Sequence, residues 1–586
     1  MSKLVDFPTS LPAIPIPENT NAAEVVASFV SRLEHLKKSD FKDDAVWRDT
    51  FALAGTSRTF YGPSPITAAW HETTKRSKAG LFSLNEKTAR IIRSPLGPHW
   101  IQGKFSFETS ADPPTTCSGI ITLVLTSASE WRIWTLRSIL EQLKGESNVD
   151  VLARVNGTEQ ATNGHSEERH FDCIVIGGGP SGLSQGGRLK ALGISYVVLD
   201  THPKVGDNWK LRYDSTRLHT SREYSHLPFE RTFGPEYQEW LTKDDLAEGY
   251  QRWVAKYDIN IWTGTTVVSG SWDSSNKKWT LRTKRDGKDE QSITGSFIVV
   301  AGGAGGQVPK MPEYPNREKF RGLVLHSAEY RNAFQWKGKR GVVVGTANTG
   351  HDVADDMLQA GLSSVTMIQR GNTYILPAEY YKKTADLYYN ATVPTEAGDR
   401  ESLTQPMAIV DLLSQINLHH LTNMERPRFD ALEGAGFKLD RYGSIIDHLY
   451  NRMGGHYIDV GTSAKISKGL IKIQTSTPVS YTETGILFDD GTELEADVVV
   501  FATGFEGNMR YLVRDVFGEE IAEQMGDFWG LDKEGELNGV WKGTGHPAMW
   551  YHGGTIGQQR FYSRFIALQI KAKMLGTPLV VYDKTP

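Results

Sequence analysis

Cysteine is scarce in this 586-residue chain, which contains only Cys117 and Cys173. Two cysteines so far apart exclude a disulfide framework and any zinc or iron–sulfur site built on cysteine ligands. His419 and His420 are adjacent, but no carboxylate stands near them at metal-ligand spacing, so we predict no metal site. Free thiols are typical of a reducing compartment, and we therefore expect a cytoplasmic protein.

Long apolar runs and a strong net charge are also missing. The formal net charge is −4, so nothing global attracts nucleic acid or anionic lipid. No stretch reaches the roughly 20 apolar residues that a bilayer-spanning helix needs. The N-terminus, with a proline-rich run at 12–17, lacks the basic-then-apolar pattern of a signal peptide. We expect a small molecule as the partner, with no role for nucleic acid or membrane; a homodimer is an open alternative to a monomer.

The N-terminal zone, residues 1–148, has the pattern of a small α+β domain. Apolar residues recur at helical spacing over 22–36. Strand-like segments follow late in the zone, at 100–107, 119–125 and 131–136. Residues 149–169 are polar and aperiodic, which predicts a linker.

A βαβ unit begins after the linker. Residues 171–176 form a short apolar run typical of a buried parallel strand, and 182–192 and 195–199 predict a helix and a second strand. Between strand and helix, Gly177, Gly179 and Gly182 fit G-x-G-x-x-G, in which glycines permit the sharp turn, the approach of a pyrophosphate and close helix packing. Asp200 follows the second strand, where an acid can bind ribose hydroxyls.

FAD is the dinucleotide predicted for this first site. A Gly-Asp-Asn-Trp segment follows the acid closely, and a strand at 497–500 near the C-terminus runs into Ala-Thr-Gly, which would return the chain to the first domain. The predicted cofactor-binding residues are Gly177, Gly179, Pro180, Ser181, Gly182, Asp200, Asn208, Trp209, His219, Thr503 and Gly504.

A second βαβ unit follows at 341–344, 349–360 and 364–368, and its loop has the same glycine spacing with Ala347 at the middle position. After its second strand Gln369 and Arg370 replace the usual acid. A guanidinium can pair with a 2′-phosphate that an acid would repel, so NADPH is favoured over NADH. The predicted residues are Gly345, Ala347, Asn348, Thr349, Gly350 and Arg370.

The predicted fold class is therefore α/β, with two Rossmann-like dinucleotide-binding domains preceded by a small α+β domain. We assign the first part of the FAD-binding domain to 170–330, the NADPH-binding domain to 331–480 and a return segment of the FAD-binding domain to 481–586.

The segment between the two glycine loops carries a family signature. Phe320, Gly322, His326 and Tyr330 fit F-x-G-x-x-x-H-x-x-x-[F/W/Y], which resembles the flavin-containing monooxygenases and their Baeyer–Villiger relatives. Residues 209–229 look most like the YUCCA-type branch. The resemblance implies a single-component FAD- and NADPH-dependent monooxygenase of the EC 1.14.13 type. In that family NADPH reduces the flavin, O2 adds to give a C4a-(hydro)peroxide, and a small nitrogen, sulfur or keto-acid substrate is oxygenated.

Three residues are the candidates for catalysis within this resemblance. Ser221 stands where animal-type members carry an asparagine, and a hydroxyl can still donate to a peroxide oxygen. Asn348 lies at the second glycine loop. His326 belongs to the signature, although a histidine in such a segment is more often a satisfied structural group.

Two alternatives remain. A Baeyer–Villiger enzyme would convert ketones to esters or lactones, although Tyr330-Arg331 departs from the longer motif of that group. A non-catalytic nucleotide-binding flavoprotein is suggested by Ala347 and by Ala301-Gly302-Gly303, which replaces a usual Ala-Thr-Gly.

The N-terminal zone resembles the cone-shaped nuclear transport factor 2 and SnoaL-like fold. Asp49 is a possible acid there without an evident histidine partner, and we favour a structural or lid role for the zone.

Overall fold

The computed structural model describes residues 6–154, 169–303 and 307–586. The described chain contains a six-stranded N-terminal sheet, a seven-stranded sheet that includes the first βαβ unit, and a five-stranded sheet that includes the second. Most of the predicted linker, 155–168, lies outside the described residues.

The N-terminal sheet has the strand order β2-β1-β6-β5-β4-β3, and two helices pack against it. Only β1 and β6 are parallel neighbours. In chain order the elements are α1 (Ala22–Val30), β1 (Phe41–Thr50), β2 (Ser57–Tyr61), α2 (Pro63–Ser77), β3 (Ala79–Arg93), β4 (His99–Thr109), β5 (Thr115–Leu125) and β6 (Trp131–Leu143). The zone thus begins its sheet earlier than the sequence pattern predicts, and α2 was not predicted. That helix begins at a proline after Gly62 and buries few large apolar side chains, of which Ile66 and Trp70 are the main ones.

The first βαβ unit is β7 (His170–Ile176), α3 (Pro180–Ala191) and β8 (Tyr196–Leu199), and it lies within two residues of its predicted bounds. The chain then continues through α4 (Asp207–Lys210), α5 (Lys243–Tyr257), β9 (Ile261–Trp262), β10 (Thr265–Asp273), β11 (Lys278–Arg285) and β12 (Glu290–Val300). Strands β12, β7, β8 and β9 are parallel neighbours, so their carboxyl ends meet at one edge. The first glycine loop lies at that edge.

The second βαβ unit belongs to a fully parallel sheet of order β13-β22-β14-β15-β18. Its first elements are β13 (Leu323–His326), β14 (Arg340–Val344), α6 (Asn348–Gln359) and β15 (Ser364–Ile368). These bounds also agree closely with the predicted ones.

A largely helical excursion separates β15 from β18 and packs against the N-terminal sheet. It comprises β16 (Tyr374–Pro377), α7 (Ala378–Ala385), α8 (Thr395–Ser402), α9 (Met407–Met424), α10 (Arg426–Gly434), α11 (Ile445–Tyr450), β17 (His456–Asp459) and α12 (Thr462–Ser467). The chain then returns to the sheet as β18 (Lys472–Gln474). Ile409 of α9 is buried in one cluster with Val46, Trp100 and Trp134 of the N-terminal sheet.

The remaining chain completes both nucleotide-type sheets. A small antiparallel sheet precedes two helices and a long last helix; the elements are β19 (Pro478–Tyr481), β20 (Gly485–Phe488), β21 (Glu493–Glu495), β22 (Val498–Phe501), α13 (Arg510–Phe517), α14 (Glu519–Gln524), β23 (Met549–Tyr551) and α15 (Ile556–Met574). Strand β22 pairs with β13 and β14 in the second sheet, and only β23 joins the first sheet, beside β12. The predicted domain boundaries at 330 and 480 therefore do not mark where the chain passes from one sheet to the other. The apolar pattern of a buried parallel strand does not indicate which sheet the strand joins.

Candidate nucleotide-binding and active site

The first glycine loop is shaped so that side chains are excluded from it. Gly177 has φ +110°, and a Cβ placed there would lie 2.4 Å from the carbonyl oxygen of Ala301. A Cβ on Gly182 would lie 1.8 Å from the Gly177 carbonyl oxygen. The first glycine therefore serves the turn and the third serves close packing of α3 on the loop. Ala301 and Gly302 lie against this loop, so this point of the chain accommodates contact between two chain segments.

Helix α3 directs its amino end at the space beside this loop. Its N-cap is Gly179, and Pro180 and Ser181 form the start of the helix without a capping side chain in the described structure. The first N–H groups and the positive end of the helix dipole are thus available to an anion. This arrangement fits a pyrophosphate.

Acidic and amide groups flank the same space. Asp200 follows β8 and is buried, and a Cβ on Gly178 would lie 2.4 Å from its Oδ2. Its Oδ1 contacts His202 Nδ1 at 2.9 Å, a contact that raises the pKa of His202. Asn208 Nδ2 lies 3.3 Å from the Cβ position of Gly179, and its buried Oδ1 has no hydrogen-bond partner among the described residues. These groups fit a dinucleotide held at the loop.

The second glycine loop repeats the geometry of the first. Gly345 has φ +118°, and a Cβ there would lie 2.5 Å from the Ala502 carbonyl oxygen. A Cβ on Gly350 would lie 2.2 Å from the carbonyl oxygen of Gly345. Helix α6 begins after Ala347 with no capping side chain in the part of the chain that is described, and Thr349 lies in its first turn. This loop too fits a pyrophosphate.

Arg370 stands at the carboxyl end of β15, as predicted. Its side chain is exposed and forms no ion pair within the described residues. Gln369 beside it is buried, and its side chain is held by the backbone of Lys438, which accepts at 2.8 Å and donates at 2.7 Å. Arg370 is therefore the residue of this pair that is free to meet a 2′-phosphate.

Asn348 and His219 are engaged within the protein. The Asn348 Oδ1 accepts a hydrogen bond from Ile458 N at 2.9 Å, which ties α6 to β17. His219 Nε2 lies 3.4 Å from Asp352 Oδ2 on α6. Burial lowers and the Asp352 carboxylate raises the pKa of His219, and the net shift is upward. His219 thus joins the two nucleotide-type domains, whereas the Asn348 contact fixes α6 within the second domain.

Ser221 is fully buried beside an aromatic residue of the helical excursion. Burial raises the pKa of Tyr381 to about 12, and the neighbouring Ser221 acts in the opposite direction. The Ser221 hydroxyl has no hydrogen-bond partner of ordinary geometry among the described residues. The Tyr381 ring also lies 6.2 Å from the ring of Trp240. Ser221 therefore lies next to aromatic side chains.

The signature histidine has a partner for each ring nitrogen. His326 Nε2 lies 3.1 Å from the carbonyl oxygen of Gly504, and Nδ1 accepts from Ala328 N at 3.1 Å. Burial lowers its pKa. The Thr503 hydroxyl donates to the Lys310 carbonyl oxygen. These contacts support the structural interpretation of His326 and give Thr503 and Gly504 a role in chain packing.

The last helix begins at the same edge as the first glycine loop, because β23 is parallel to β12 and one strand away from β7. Thr555 and Gln558 form a capping box at its start. The Tyr224 hydroxyl lies 2.6 Å from Thr555 Oγ1, and a Cβ on Gly557 would lie 2.3 Å from the Tyr224 ring. Trp209 is half-buried, with the guanidinium of Arg212 5.1 Å from its ring. The aromatic side chains thus frame this edge.

A buried ion pair at this edge was not predicted. Arg560 of α15 and Asp399 of α8 form two hydrogen bonds of 2.8 and 2.7 Å, and their side chains are 1% and 2% exposed. Arg560 also donates to the carbonyl oxygens of Tyr224 and His226 at 2.8 and 2.6 Å. The partners are 161 residues apart, and no sequence pattern joins them.

Asp49 in the N-terminal zone is occupied by structural contacts. It is buried and accepts hydrogen bonds from Leu53 N at 3.1 Å, Ala54 N at 2.8 Å and the Ser138 hydroxyl. Burial raises its pKa to about 6. The described residues contain no group of three or more potential metal ligands, and none of their helices is long and apolar enough to cross a membrane.

Comparison with known proteins agrees with this geometry. The family model described as flavin-binding monooxygenase-like matches residues 175–522. Indole-3-pyruvate monooxygenase YUCCA1 of Oryza sativa subsp. japonica is 28% identical over 347 residues, covering 58% of this chain and 79% of the relative. The probable indole-3-pyruvate monooxygenase YUCCA10 of Arabidopsis thaliana is 28% identical over 338 residues, 57% of this chain and 82% of the relative.

Among solved structures, OTEMO in complex with FAD and NADP superimposes with a TM-score of 0.50 at 16% identity, covering 70% of this chain and 86% of that one. This likeness concerns the fold, and it includes both nucleotide-binding domains. With two glycine cradles, the signature between them and the family match over more than half of its length, the chain belongs to the flavin-binding monooxygenase-like family.

Proposed function

We propose that this protein is an NADPH-dependent flavin monooxygenase that oxygenates a small aromatic carbonyl compound, in particular a 2-keto acid. The observation that carries the proposal is the pair of glycine loops, each at the carboxyl ends of parallel strands and each followed by a helix without a capping side chain in the described structure. FAD and NADPH are the cofactors. When bound, FAD supplies the redox chemistry that links NADPH to O2.

The residues of the chain divide the work of binding. The first loop and the start of α3 hold the FAD pyrophosphate, and Asp200 accepts from its ribose hydroxyls. The second loop and the start of α6 hold the NADPH pyrophosphate, and Arg370 pairs with its 2′-phosphate. The packed aromatic side chains near Ser221 and at the start of α15 would exclude water from bound cofactors, and this would limit the loss of activated oxygen as H2O2.

Aromatic packing near Ser221 supports an aromatic substrate. Tyr381 lies beside Ser221, and its ring packs near that of Trp240. Tyr224 and Tyr389 form an edge-on pair with centroids 4.9 Å apart next to the start of α15. A planar ring can pack against such groups while Ser221 donates a hydrogen bond to its polar end. The similarity to indole-3-pyruvate monooxygenases supports the same substrate class.

A substrate screen tests this proposal. Purified protein with FAD and NADPH is offered indole-3-pyruvate, a thioether, a tertiary amine and cyclohexanone, and NADPH consumption is corrected for H2O2 release. We expect the keto acid to be converted to the acid shorter by one carbon, with release of CO2 and one 18O atom incorporated from 18O2. Conversion of cyclohexanone alone to a lactone would favour the Baeyer–Villiger alternative. NADPH consumption that yields only H2O2 with every compound would contradict the proposal.

We further propose that the N-terminal zone is a scaffold for the substrate side of this site. Three polar side chains on one face of its sheet bind residues 401–405: Arg48 Nη1 donates to Leu403 O at 2.8 Å, Arg137 Nη1 to Glu401 O at 2.8 Å, and Gln102 Nε2 to Glu401 Oε1 at 2.9 Å. The face of the sheet is thereby covered by α8 and α9. This supports a structural role for the N-terminal zone.

Arg137→Met tests the scaffold. Arg137 is buried, and its guanidinium forms no hydrogen bond to a carboxylate among the described residues. Its replacement therefore leaves no buried carboxylate without a hydrogen-bonded partner. We expect unchanged FAD content and unchanged reduction by NADPH, but a smaller share of NADPH electrons in product and a larger share in H2O2. Arg93→Met is the matched control, since Arg93 donates to Ile16 O within the same zone. If the share of NADPH electrons found in product is equal in the two variants, the N-terminal zone does not have the scaffold role.

A cytoplasmic location and a homodimer remain proposals. Both cysteines are free and buried, which suits a reducing compartment. Light scattering of the purified protein would decide between a monomer and a dimer.

A further inference from the structure

Helix α6, which begins at the second glycine loop, is held by the first domain through a carboxylate one turn beyond its start. Asp352 Oδ2 accepts a hydrogen bond from the Tyr213 hydroxyl at 2.8 Å, and the same oxygen lies 3.4 Å from His219 Nε2. The Asp352 side chain is 9% exposed. Tyr213 and His219 belong to the segment that follows the first glycine loop and α4, so this one carboxylate joins the two nucleotide-type domains.

Neighbouring contacts reinforce the same junction. Tyr213 is buried in the core of the second domain, in a cluster with Val353 and Tyr330. The hydroxyl of Tyr330, the aromatic residue of the family signature, donates to Asp356, which lies one turn beyond Asp352 on the same face of α6. Two tyrosine hydroxyls therefore bind two acids on one face of the helix.

We infer that Asp352 is a positioning residue that sets the second nucleotide relative to the first by fixing α6 against the Tyr213–His219 segment. The inference rests on the proposed function, in which α3 holds FAD and α6 holds NADPH. Because the nucleotide is held at the start of α6, a shift of this helix moves the hydride donor relative to the acceptor. Hydride transfer depends steeply on that separation, so the contact acts on the rate of reduction more than on binding.

The charge state of His219 makes the junction sensitive to pH. The titratable and charged groups around His219 are Asp352, the guanidinium of Arg212, the rings of His351 and His456, and the ring of Tyr457, whose centroid lies 6.1 Å from that of His219. Burial lowers the pKa of His351 and of His456 to about 4, so both are neutral near pH 7. The His219–Asp352 ion pair is accordingly complete below the raised pKa of His219 and is lost as the pH rises through that value.

The test is anaerobic reduction of bound FAD by NADPH in a stopped-flow instrument, which requires no substrate. For Asp352→Asn we expect FAD content as in wild type, a limiting reduction rate lower by about tenfold or more, and a Kd for NADPH changed by less than about threefold. In wild type the limiting rate should fall as the pH rises through the His219 pKa. In the variant this inflection should disappear, because asparagine carries no charge and no ion pair remains to be lost.

Asp355→Asn is the matched control, since Asp355 lies on the same helix and pairs with Lys465. It should reduce at the wild-type rate. If Asp352→Asn does not retain FAD, Tyr213→Phe tests the same contact while keeping the ring in the core. A wild-type limiting rate in whichever of these variants retains FAD, or an unchanged pH inflection in Asp352→Asn, would overturn the inference. A wild-type protein that NADPH does not reduce would instead contradict the proposed function.

Discussion

The two glycine loops make a matched pair of predictions, because their geometries are nearly equal. A Cβ on Gly177 would lie 2.4 Å from the Ala301 carbonyl oxygen, and a Cβ on Gly345 would lie 2.5 Å from that of Ala502. Ordinary contacts of a Cβ begin near 3.4 Å, so each Gly→Ala substitution requires the loop to move by about 1 Å (3.4 − 2.4). A side chain at such a φ adds about 1–3 kcal/mol of strain.

If that strain is relieved only by a distortion of the glycine loop, the affinity of the loop for its cofactor falls by roughly 5- to 150-fold. We therefore expect Gly177→Ala to lose FAD on desalting. Gly345→Ala should retain FAD while its Kd for NADPH rises by that factor. The assays are the flavin-to-protein absorbance ratio and an anaerobic NADPH titration.

Gly193→Ala is the control for backbone strain alone, since Gly193 has φ +65° and nothing lies within 4 Å of its Cβ position. It should bind both cofactors normally at a lower Tm. The assignment of FAD to the first glycine loop and NADPH to the second would be refuted by either of two results. In one, Gly177→Ala weakens NADPH binding and Gly345→Ala loses FAD; in the other, both loop variants bind both cofactors as the wild type does.

Other residues carry separate predictions. Arg370→Ala should reduce the preference for NADPH over NADH by about tenfold or more, because a charge-assisted pair contributes about 1.5–3 kcal/mol. The preference is measured as the ratio of the two rates of flavin reduction, and an unchanged ratio would exclude Arg370 from this role. Arg560→Leu should lower the free energy of unfolding by about 3–5 kcal/mol in urea denaturation, since Asp399 would remain buried without its partner. The control is Asp244→Asn, which removes the exposed ion pair between Asp244 and Lys210 and should leave the free energy of unfolding unchanged within error. His326→Asn should lower the Tm and leave the pH profile of NADPH consumption unchanged, because both ring nitrogens are already engaged; a shifted profile would restore a catalytic role.

Local patterns predicted the nucleotide-binding elements well. Strand β7, α3 and β8, and their counterparts β14, α6 and β15, are marked by short apolar runs around a glycine motif, and such signals act over a few residues. The position of Arg370 at a strand end could be predicted for the same reason. Helix α2 gave a weak signal because its apolar positions are few.

Long-range pairing could not be predicted. The residue patterns of β22 and β23 do not encode their neighbours, and these strands enter different sheets. In the sequence, Asp352 is an ordinary acidic residue on a predicted helix. No local pattern links it to its partner Tyr213, which lies 139 residues earlier. The sequence alone likewise does not reveal that Arg137 binds the excursion at Glu401, 264 residues later. Such contacts depend on how whole domains pack.

The most direct measurement is the anaerobic addition of NADPH, and in parallel NADH, to the purified yellow protein. We predict that NADPH bleaches the flavin absorbance completely and far faster than NADH does, and that denaturation of the untreated protein releases FAD. A colourless protein that does not take up FAD, or a flavin that neither reduced nucleotide bleaches, would contradict the claim that the two loops hold FAD and NADPH for electron transfer.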